Sequence, residues 1–250
     1  MRNSFKQTLA LTQRNLKEIV RDPISLIFTF GLPLVMEVLF YFLFHANAAQ
    51  FEMQYLAPGI VVFSQAFLTL FTGLLISVDR NSSFLTRLYV TKLKSYQFIL
   101  GYVLALLPIA LIQSVLFFLV GGAIDPSLFR ASVPLCILLS LVSALFFISV
   151  GIMFGALCNE KSVGGVSSIV ISGQSLLSGM WFPTVGLNQG IIIAMDCLPF
   201  RNASMLLQNT LIGIGDPFAD FGRPFLILAA YTLVAFISAI FLFKRKMTEN

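Results

Sequence analysis

Glu37 is the acidic residue that lies deepest in an apolar segment of this 250-residue sequence, and it is the clearest candidate for chemistry. An ionisable side chain inside a membrane is costly, so it faces other helices or a water path. Such a carboxylate can bind a cationic substrate or carry protons. The alternative is a structural interpretation, in which Glu37 is protonated or hydrogen-bonds to a polar group such as Gln65 or Gln113.

The other reactive residue types do not form a catalytic or metal-binding pattern. His45 is the single histidine, and Cys136, Cys158 and Cys197 form no CxxC pair. The sequence contains no catalytic triad and no paired catalytic carboxylates, so we expect no catalytic residues and no metal site. It also contains no GxxxxGK[ST] motif, so we expect no nucleotide site in this chain.

The composition predicts that lipid is the main solvent of the chain. Hydrophobic residues make up 58% of the sequence and charged residues 11%, whereas soluble domains carry roughly 25% charged residues. The net charge is +5, but the basic residues flank apolar segments. This distribution indicates membrane topology and contacts with lipid headgroups, and we expect no binding to nucleic acid.

Six apolar segments have about the 20 residues that a helix needs to cross a bilayer. They cover residues 24–44, 55–78, 99–121, 133–157, 163–182 and 225–243. Residues 1–22 precede them and predict an amphipathic helix in the headgroup plane, with Phe5, Leu9, Leu16, Ile19 and Val20 on one arc. We therefore predict an all-α membrane protein with six transmembrane helices and an N-terminal interfacial helix.

The distribution of lysine and arginine predicts that both termini are cytoplasmic. With the N-terminus inside, 13 of the 16 basic residues lie on the cytoplasmic side. Those expected outside are Arg130, Arg201 and Arg223. The outer region 183–222 holds a short apolar segment, Pro199 and a second short helix, so we predict a re-entrant hairpin before the last span. A surface loop with one helix is the alternative for this region.

The segment after the second predicted span, DRNSSFLTRLYVTKLKSYQFILGY, resembles the cytoplasmic loop of ABC-2-type permeases. The matching residues are Asp79, Arg80, Arg87–Leu88, Thr91, Leu93 and Gly101. Two positions depart from the family pattern, because Lys92 replaces the usual proline and Asp79 the usual early glutamate.

Three further motifs resemble the same family, and the resemblance covers nearly the whole chain. They are Arg14–Asn15 with Arg21–Asp22–Pro23, then residues 178–183 (SGMWFP), then Leu198–Pro199–Phe200. Within the family, the chain is most similar to the multidrug or daunorubicin-resistance type. The resemblance implies one domain over residues 1–250, which pairs with an identical or paralogous permease and docks on separate ATPase subunits. ATP and Mg²⁺ would bind to those subunits, and no cofactor to this chain.

The resemblance makes residues 79–99 the candidate coupling loop, which would contact the ATPase. A short apolar helix could fit a cleft in that partner, and basic side chains around it could pair with acidic ones. The candidate coupling residues are Arg80, Phe84, Leu85, Arg87, Leu88, Tyr89, Lys92 and Glu160. The alternative is a basic loop that sets topology alone, and both roles can coexist.

Polar side chains in the apolar segments suggest a substrate path. The candidates are Glu37, Gln65, Gln113, Ser172, Gln174 and Ser175. The fifth segment is rich in serine and glycine, which suits a dimer contact or the wall of a path, and also suits simple packing. The favoured function is export of a drug, lipid or peptide, while a proton-coupled secondary multidrug transporter through Glu37 and a membrane enzyme or scaffold are alternatives.

Overall fold

The chain is helical throughout the part that the structure describes. The structure is a computed structural model that describes residues 2–82, 95–182, 186–213 and 215–248, and these ranges contain no β-strand. The α-helices are α1 (Arg2–Val20), α2 (Pro23–Leu26), α3 (Leu32–Phe44), α4 (Met53–Asn81), α5 (Ser95–Ile124), α6 (Val133–Leu157), α7 (Glu160–Leu177), α8 (Gln189–Cys197), α9 (Pro199–Ile212) and α10 (Arg223–Thr248). The predicted all-α membrane fold is confirmed.

Five helical segments in the described ranges are long and apolar enough to cross a membrane. They are Pro23–Phe44, Met53–Arg80, Tyr96–Ile124, Val133–Leu157 and Pro217–Arg245. These segments correspond to the first, second, third, fourth and sixth predicted spans. The fifth predicted span, residues 163–182, overlaps α7, whose 18 residues include polar and small side chains and are therefore less apolar.

α7 nevertheless runs beside α4 through the bundle. A methyl group added to Gly73 would lie 2.7 Å from Cγ1 of Val163, near the start of α7. A methyl group added to Gly59 would lie 3.2 Å from Cβ of Met180, just beyond the end of α7. The two helices are therefore antiparallel over about 21 Å of α4, at 1.5 Å per residue. This placement agrees with the predicted fifth span.

The first span contains a wide turn. Asp22 caps α2 by accepting a hydrogen bond from the backbone N–H of Ser25 at 3.2 Å, and Pro23 occupies the first turn. A π-helical turn, Ile27–Gly31, then joins α2 to α3. Pro33 follows this turn closely. Because proline lacks an N–H, a regular α-helix would lose one hydrogen-bond donor at this point.

The predicted hairpin before the last span is present as a bent helix pair. α8 and α9 meet at an angle of 82°, with Pro199 in the first turn of α9. The Asn202 side chain fixes the bend by donating to the backbone oxygens of Asp196 and Leu198, each at 2.7 Å. Arg201 pairs with the Asp196 carboxylate at 2.7 Å.

Two ends of the bundle are distinguished by their polar contacts. We call the end that contains Arg14, Asp79, Arg80 and Cys158 the basic face. Phe98 and Phe243 bring the start of α5 and the end of α10 together near it, with ring centroids 6.4 Å apart. The other end, which we call the outer face, holds the contacts of Gln50 with Trp181, and of Arg130 with the end of α9.

α4 lies at the centre of the bundle, whereas the first and last spans lie at its edge. The most apolar part of α4 is 89% buried, against 17% for each of the edge spans. Gly151 and Gly155 of α6 allow a close approach, because methyl groups there would lie 2.6 Å from Thr72 Cβ and 2.7 Å from Ile76 Cβ. Small residues at such a crossing let two helix backbones pack directly.

Candidate functional site

A buried carboxylate joins three helices at the basic face. Asp79 is fully buried near the end of α4. Its Oδ2 atom accepts a hydrogen bond from Arg14 Nη1 of α1 at 2.5 Å and from the Tyr102 hydroxyl of α5 at 2.7 Å. Arg14 also donates to Asn15 Oδ1 at 3.0 Å and pairs with Glu18 at 2.7 Å. α1 is therefore fixed to the bundle by an ion pair.

The electrostatics keep Arg14 charged. Burial disfavours its charged form, but the hydrogen bond and the charge of Asp79 outweigh burial, so the pKa of Arg14 lies above its ordinary value. Burial raises the pKa of the neighbouring Glu18, although Arg14 opposes that rise. The Arg14 guanidinium that contacts Asp79 is thus charged over the physiological pH range.

The face of α1 that contacts the bundle differs from the predicted apolar arc. Leu11, Asn15 and Ile19 are buried, at successive spacings of four residues. Leu11 packs on Gly101 of α5, where an added methyl group would lie 2.7 Å from Leu11 Cδ2. One member of the predicted arc, Ile19, therefore faces protein.

Two other members of that arc remain available to lipid, whereas Leu16 is partly buried against the core. Leu9 is 45% exposed and Val20 is 60% exposed. α1 thus has two apolar surfaces, one on the bundle and one facing outward. This arrangement agrees with a helix that lies in the membrane interface while it is bound to the spans.

Arg80 joins α4 to the turn between α6 and α7. Its Nη1 atom donates to the backbone oxygen of Ala156, and its Nη2 atom donates to that of Cys158 at 2.6 Å. Carbonyls at a helix C-terminus lack partners within the helix and attract a cation. The neighbouring Asn159 caps α7 by accepting from the N–H of Ser162 at 3.0 Å. Glu160, in the first turn of α7, is exposed.

The central part of the predicted coupling loop lies outside the described residues. This applies to the candidates Phe84, Leu85, Arg87, Leu88, Tyr89 and Lys92. Both flanks of that segment are described, because α4 ends at Asn81 and α5 begins at Ser95. We call Arg14, Asp79, Arg80 and Tyr102 the anchor, since they tie these flanks to α1, α6 and each other.

Gln65, a candidate path residue, belongs to a buried polar cluster that links α4, α5 and α6. Its Nε2 atom donates to the Ser114 hydroxyl at 3.3 Å, and its Oε1 atom accepts from the Ser143 hydroxyl. The Ser114 and Ser140 hydroxyls are 2.7 Å apart. These interhelical hydrogen bonds give Gln65 a role in packing the bundle.

The other two glutamines of the candidate path also bond across helices. Gln113 donates to the backbone oxygen of Ser64 at 3.1 Å, and Gln174 donates to the Ser204 hydroxyl of α9 at 3.2 Å. Both side chains are buried. The three glutamines therefore occupy separate contacts and do not form one cluster.

The candidate serines lie on or near the exposed side of α7. Ser175 accepts a hydrogen bond from the Trp181 indole at 2.8 Å. Ser172 is exposed and lines a shallow cavity of about 450 Å³ together with Ile169, which is 71% exposed. Added methyl groups at Gly165 would meet no other described atom within 4 Å. This side of α7 is an apolar surface without a described neighbour.

Glu37 faces the bundle, as both interpretations of its sequence position require. Its side chain is fully buried in the first span. The described residues provide no hydrogen bond to either carboxylate oxygen, so the suggested bonds to Gln65 or Gln113 are not formed. Oε1 of Glu37 lies 3.0 Å from the position of a methyl group added to Gly121 of α5.

Sequence reasoning did not identify Arg14, Asn15 and Tyr102 as site residues. Arg14 and Asn15 belong to a family-like motif, but Arg14 contacts Asp79, which lies 65 residues away in sequence, and Tyr102 contacts the same carboxylate from 23 residues away. A polar signal existed at Asp79, because a carboxylate that ends an apolar span needs a partner. The hydrophobic periodicity of α1 does not indicate that this helix supplies the partner of Asp79.

Comparison with known proteins agrees with this architecture. The family model described as ABC-2 type transporter matches residues 6–212, which is most of the chain. The matched region includes α1, the anchor, α7 and the bent pair. A comparison with curated proteins found no match. Five helical segments in the described ranges are long and apolar enough to cross a membrane, and the family model covers most of the sequence, so the chain belongs to the ABC-2 type transporter family.

Proposed function

We propose that the chain is the permease subunit of an ATP-driven exporter and that a separate ATPase subunit supplies the energy. That subunit would bind ATP and Mg²⁺, and the chain would carry an amphipathic drug, lipid or peptide outward. The observation that carries the proposal is the anchor, because it connects both flanks of residues 83–94 to several helices.

The proposed mechanism is alternating access driven through the anchor. When the ATPase subunits close on ATP, they displace residues 83–94. Asp79 passes this displacement to α1 and α5, because its Oδ2 atom is bonded to both Arg14 and Tyr102. Arg80 passes it to the end of α6 through two backbone carbonyls. Packed helices that move as bodies then open the path on the outer side.

The same proposal gives the chain an orientation in the cell membrane. The basic face would be cytoplasmic, as the positive-inside rule requires, and both termini would lie on that side. The described basic residues support this orientation: Arg130, Arg201 and Arg223 contact groups at the outer face, while Arg14 and Arg80 lie at the other end.

A second permease copy, identical or paralogous, would cover the exposed side of α7. Ile169 is the most exposed apolar residue of that side. We expect Ile169→Cys to form a cross-link between two copies in membranes. Ile237→Cys on the exposed side of α10 is the matched control, because Ile237 is 61% exposed, and it should face lipid. Equal cross-linking of both variants would reject this dimer contact.

A proton-coupled secondary transporter is the second candidate function, and the burial of Glu37 without a described hydrogen-bond partner favours it. The two candidates differ in their energy source. Transport driven by a proton gradient in vesicles that hold this chain alone would support the second. Transport that requires the ATPase and ATP would support the first.

The ATP-driven proposal is tested by Arg87→Glu in a complex reconstituted with the ATPase. We expect normal membrane insertion and a loss of substrate-stimulated ATP hydrolysis, because a basic side chain that pairs with the partner is reversed in charge. Lys6→Glu on α1 is the control, since it makes the same change of charge on an exposed residue of the basic face. Unchanged stimulation in Arg87→Glu would reject the role of the loop.

A further inference from the structure

A polar cavity of about 330 Å³ opens at the outer face beside the first span. We call it the vestibule, and it is lined by Tyr41, His45, Glu52, Met53, Asp125 and Arg130, among others. It lies between the end of α3, the start of α4 and the turn after α5. It is separate from the anchor, which lies at the basic face.

The vestibule has unused negative charge. Glu52 accepts one hydrogen bond from Gln54 at 2.7 Å, and Asp125 accepts one from the backbone N–H of Ser127 at 3.0 Å. The one arginine of its lining, Arg130, donates to the backbone oxygens that end α9 and to Gln54, and it forms no ion pair with a described residue. A cation entering the vestibule therefore meets two carboxylates and one guanidinium, which leaves an excess of negative charge.

An aromatic pair adds a second feature that recognises cations. The rings of Tyr41 and His45 are stacked, with centroids 4.4 Å apart and planes 12° apart. The Nδ1 atom of His45 lies 2.6 Å from the backbone oxygen of Tyr41, which holds the imidazole in place. Aromatic faces attract organic cations, most strongly where water is excluded.

Glu37 lies directly beneath the vestibule, one helical turn before Tyr41. A methyl group added to Gly121 would lie 3.0 Å from Glu37 Oε1 and also 3.0 Å from the sulfur of Met53. Met53 lines the vestibule and is fully buried. The flexible side chain of Met53 thus lies close to the Glu37 carboxylate and also lines the cavity.

Apolar contacts for the rest of a substrate lie beside this carboxylate. Phe40 follows Glu37 by one turn, and its ring centroid is 5.7 Å from that of Phe51 and 4.6 Å from that of Trp181. Phe44 extends this aromatic cluster toward the outer face, 5.2 Å from Phe51. An apolar chain attached to a cationic head would find these rings next to Glu37.

We propose that Glu37 and the vestibule form the outward-facing subsite for the head group of an amphipathic organic cation, an amine or a quaternary ammonium. The inference deepens the proposed export function and rests on it. A buried carboxylate without a hydrogen-bond partner is costly, and a cation with an apolar shell stabilises it without bringing in water. Glu52 and Asp125 attract the cation, the Tyr41–His45 pair holds it, and Glu37 neutralises it.

The test uses Trp181, the single tryptophan of the chain, as the reporter. The chain is placed in lipid nanodiscs without ATPase or ATP. Two membrane dyes that share one fluorophore are compared: trimethylammonium-diphenylhexatriene, which is cationic, and diphenylhexatriene, which is neutral. Both dyes dissolve in the bilayer, and there they quench Trp181 by accepting energy from its excited indole. We expect an additional, saturable component for the cationic dye, which dodecyltrimethylammonium displaces.

Glu37→Gln removes the charge and keeps the size of the side chain. We expect at least a tenfold weaker affinity for the cationic dye and unchanged quenching by the neutral dye. Glu160→Gln is the matched control, because it removes an exposed carboxylate at the basic face and should leave both dyes unaffected. Quenching without a saturable component in the native chain would overturn the inference, and so would equal effects of Glu37→Gln on the two dyes.

A second measurement needs no variant. Dicyclohexylcarbodiimide modifies carboxyl groups in apolar surroundings, and peptide mass analysis locates the product. We expect modification of Glu37 that dodecyltrimethylammonium prevents, while equal labelling with and without the cation would contradict the subsite. Neither assay contains ATP, so cation binding together with unchanged stimulation of ATP hydrolysis in Arg87→Glu would reject the export mechanism alone. Failure of cation binding with intact coupling would reject the subsite alone.

Discussion

Removing the Arg14 side chain from the anchor is the perturbation with the most definite expected effect. In Arg14→Gln, the Asp79 carboxylate stays fully buried and keeps the Tyr102 hydroxyl as a partner. It loses the cation that lies 2.5 Å away. α1 also loses its ionic connection to α4, so both the stability of the fold and the coupling through α1 should fall.

The magnitude follows from the exposure of the two partners. Breaking a fully buried ion pair costs about 3–5 kcal/mol, whereas an exposed pair contributes about 0.2–1 kcal/mol. The Asp79 side chain is 0% exposed, but that of Arg14 is 34% exposed and partly screened by solvent. We therefore expect Arg14→Gln to lower the free energy of unfolding by about 2 kcal/mol, between the two limits.

A double-mutant cycle isolates the interaction from the other losses. Asp79→Asn alone should cost about 1 kcal/mol, because it leaves Arg14 partly hydrated. Adding it to Arg14→Gln removes both charges, so the double variant should be less destabilised than the sum. We expect a coupling energy of about 1.5 kcal/mol, within the range for residues in direct contact.

The assay is unfolding in mixed micelles with increasing sodium dodecyl sulfate, followed by the emission of Trp181. Lys17→Gln is the control, because Lys17 is an exposed basic residue on α1 and should change stability by less than about 0.5 kcal/mol. If the effects of Arg14→Gln and Asp79→Asn add within about 0.4 kcal/mol, the pair is not coupled and the account of the anchor is wrong.

Three further predictions concern stability in the same unfolding assay. Arg80→Ala should cost about 1.5–3 kcal/mol, because two charge-assisted hydrogen bonds to the end of α6 are lost, and full stability would show that the contact contributes nothing. Gly151→Val should lower stability by about 1–3 kcal/mol through overlap with α4, while Gly165→Val, in open space, should not; equal losses would contradict the close helix crossing. Ser143→Ala should cost about 0.6–1.7 kcal/mol, because Gln65 loses a bond across helices, and a stabilised variant would argue against the cluster.

The parts of the fold that depend on local sequence could be predicted. The length of the apolar segments predicted the positions of the spans. Unsatisfied backbone N–H and C=O groups are costly in lipid, so an apolar segment of this length crosses the membrane as a helix. Pro199 marked a helix start correctly, since proline is tolerated in a first turn. The bent pair before the last span was also predicted, because a short apolar segment followed by proline cannot cross the bilayer as one regular helix.

Contacts between distant parts of the chain could not be predicted in the same way. The bond from Arg14 to Asp79 joins residues 65 positions apart, and that from Ser143 to Gln65 joins residues 78 apart. Hydrophobic periodicity describes one helix at a time, so it placed Ile19 with the lipid-facing arc of α1 although the bundle buries it. For Glu37, the cost of charge in lipid predicted burial correctly, but its lack of a described partner depends on packing against α5.

The central claim is that a separate ATPase drives this chain, and transport into inside-out vesicles tests it most directly. The vesicles hold the chain with or without its ATPase, and uptake of a panel of cationic and neutral amphipathic dyes is measured. We predict uptake of at least one dye that requires both the ATPase and hydrolysable ATP, and that falls in the Arg14→Gln variant. Uptake by the chain alone, driven by a proton gradient and insensitive to ATP, would contradict the account.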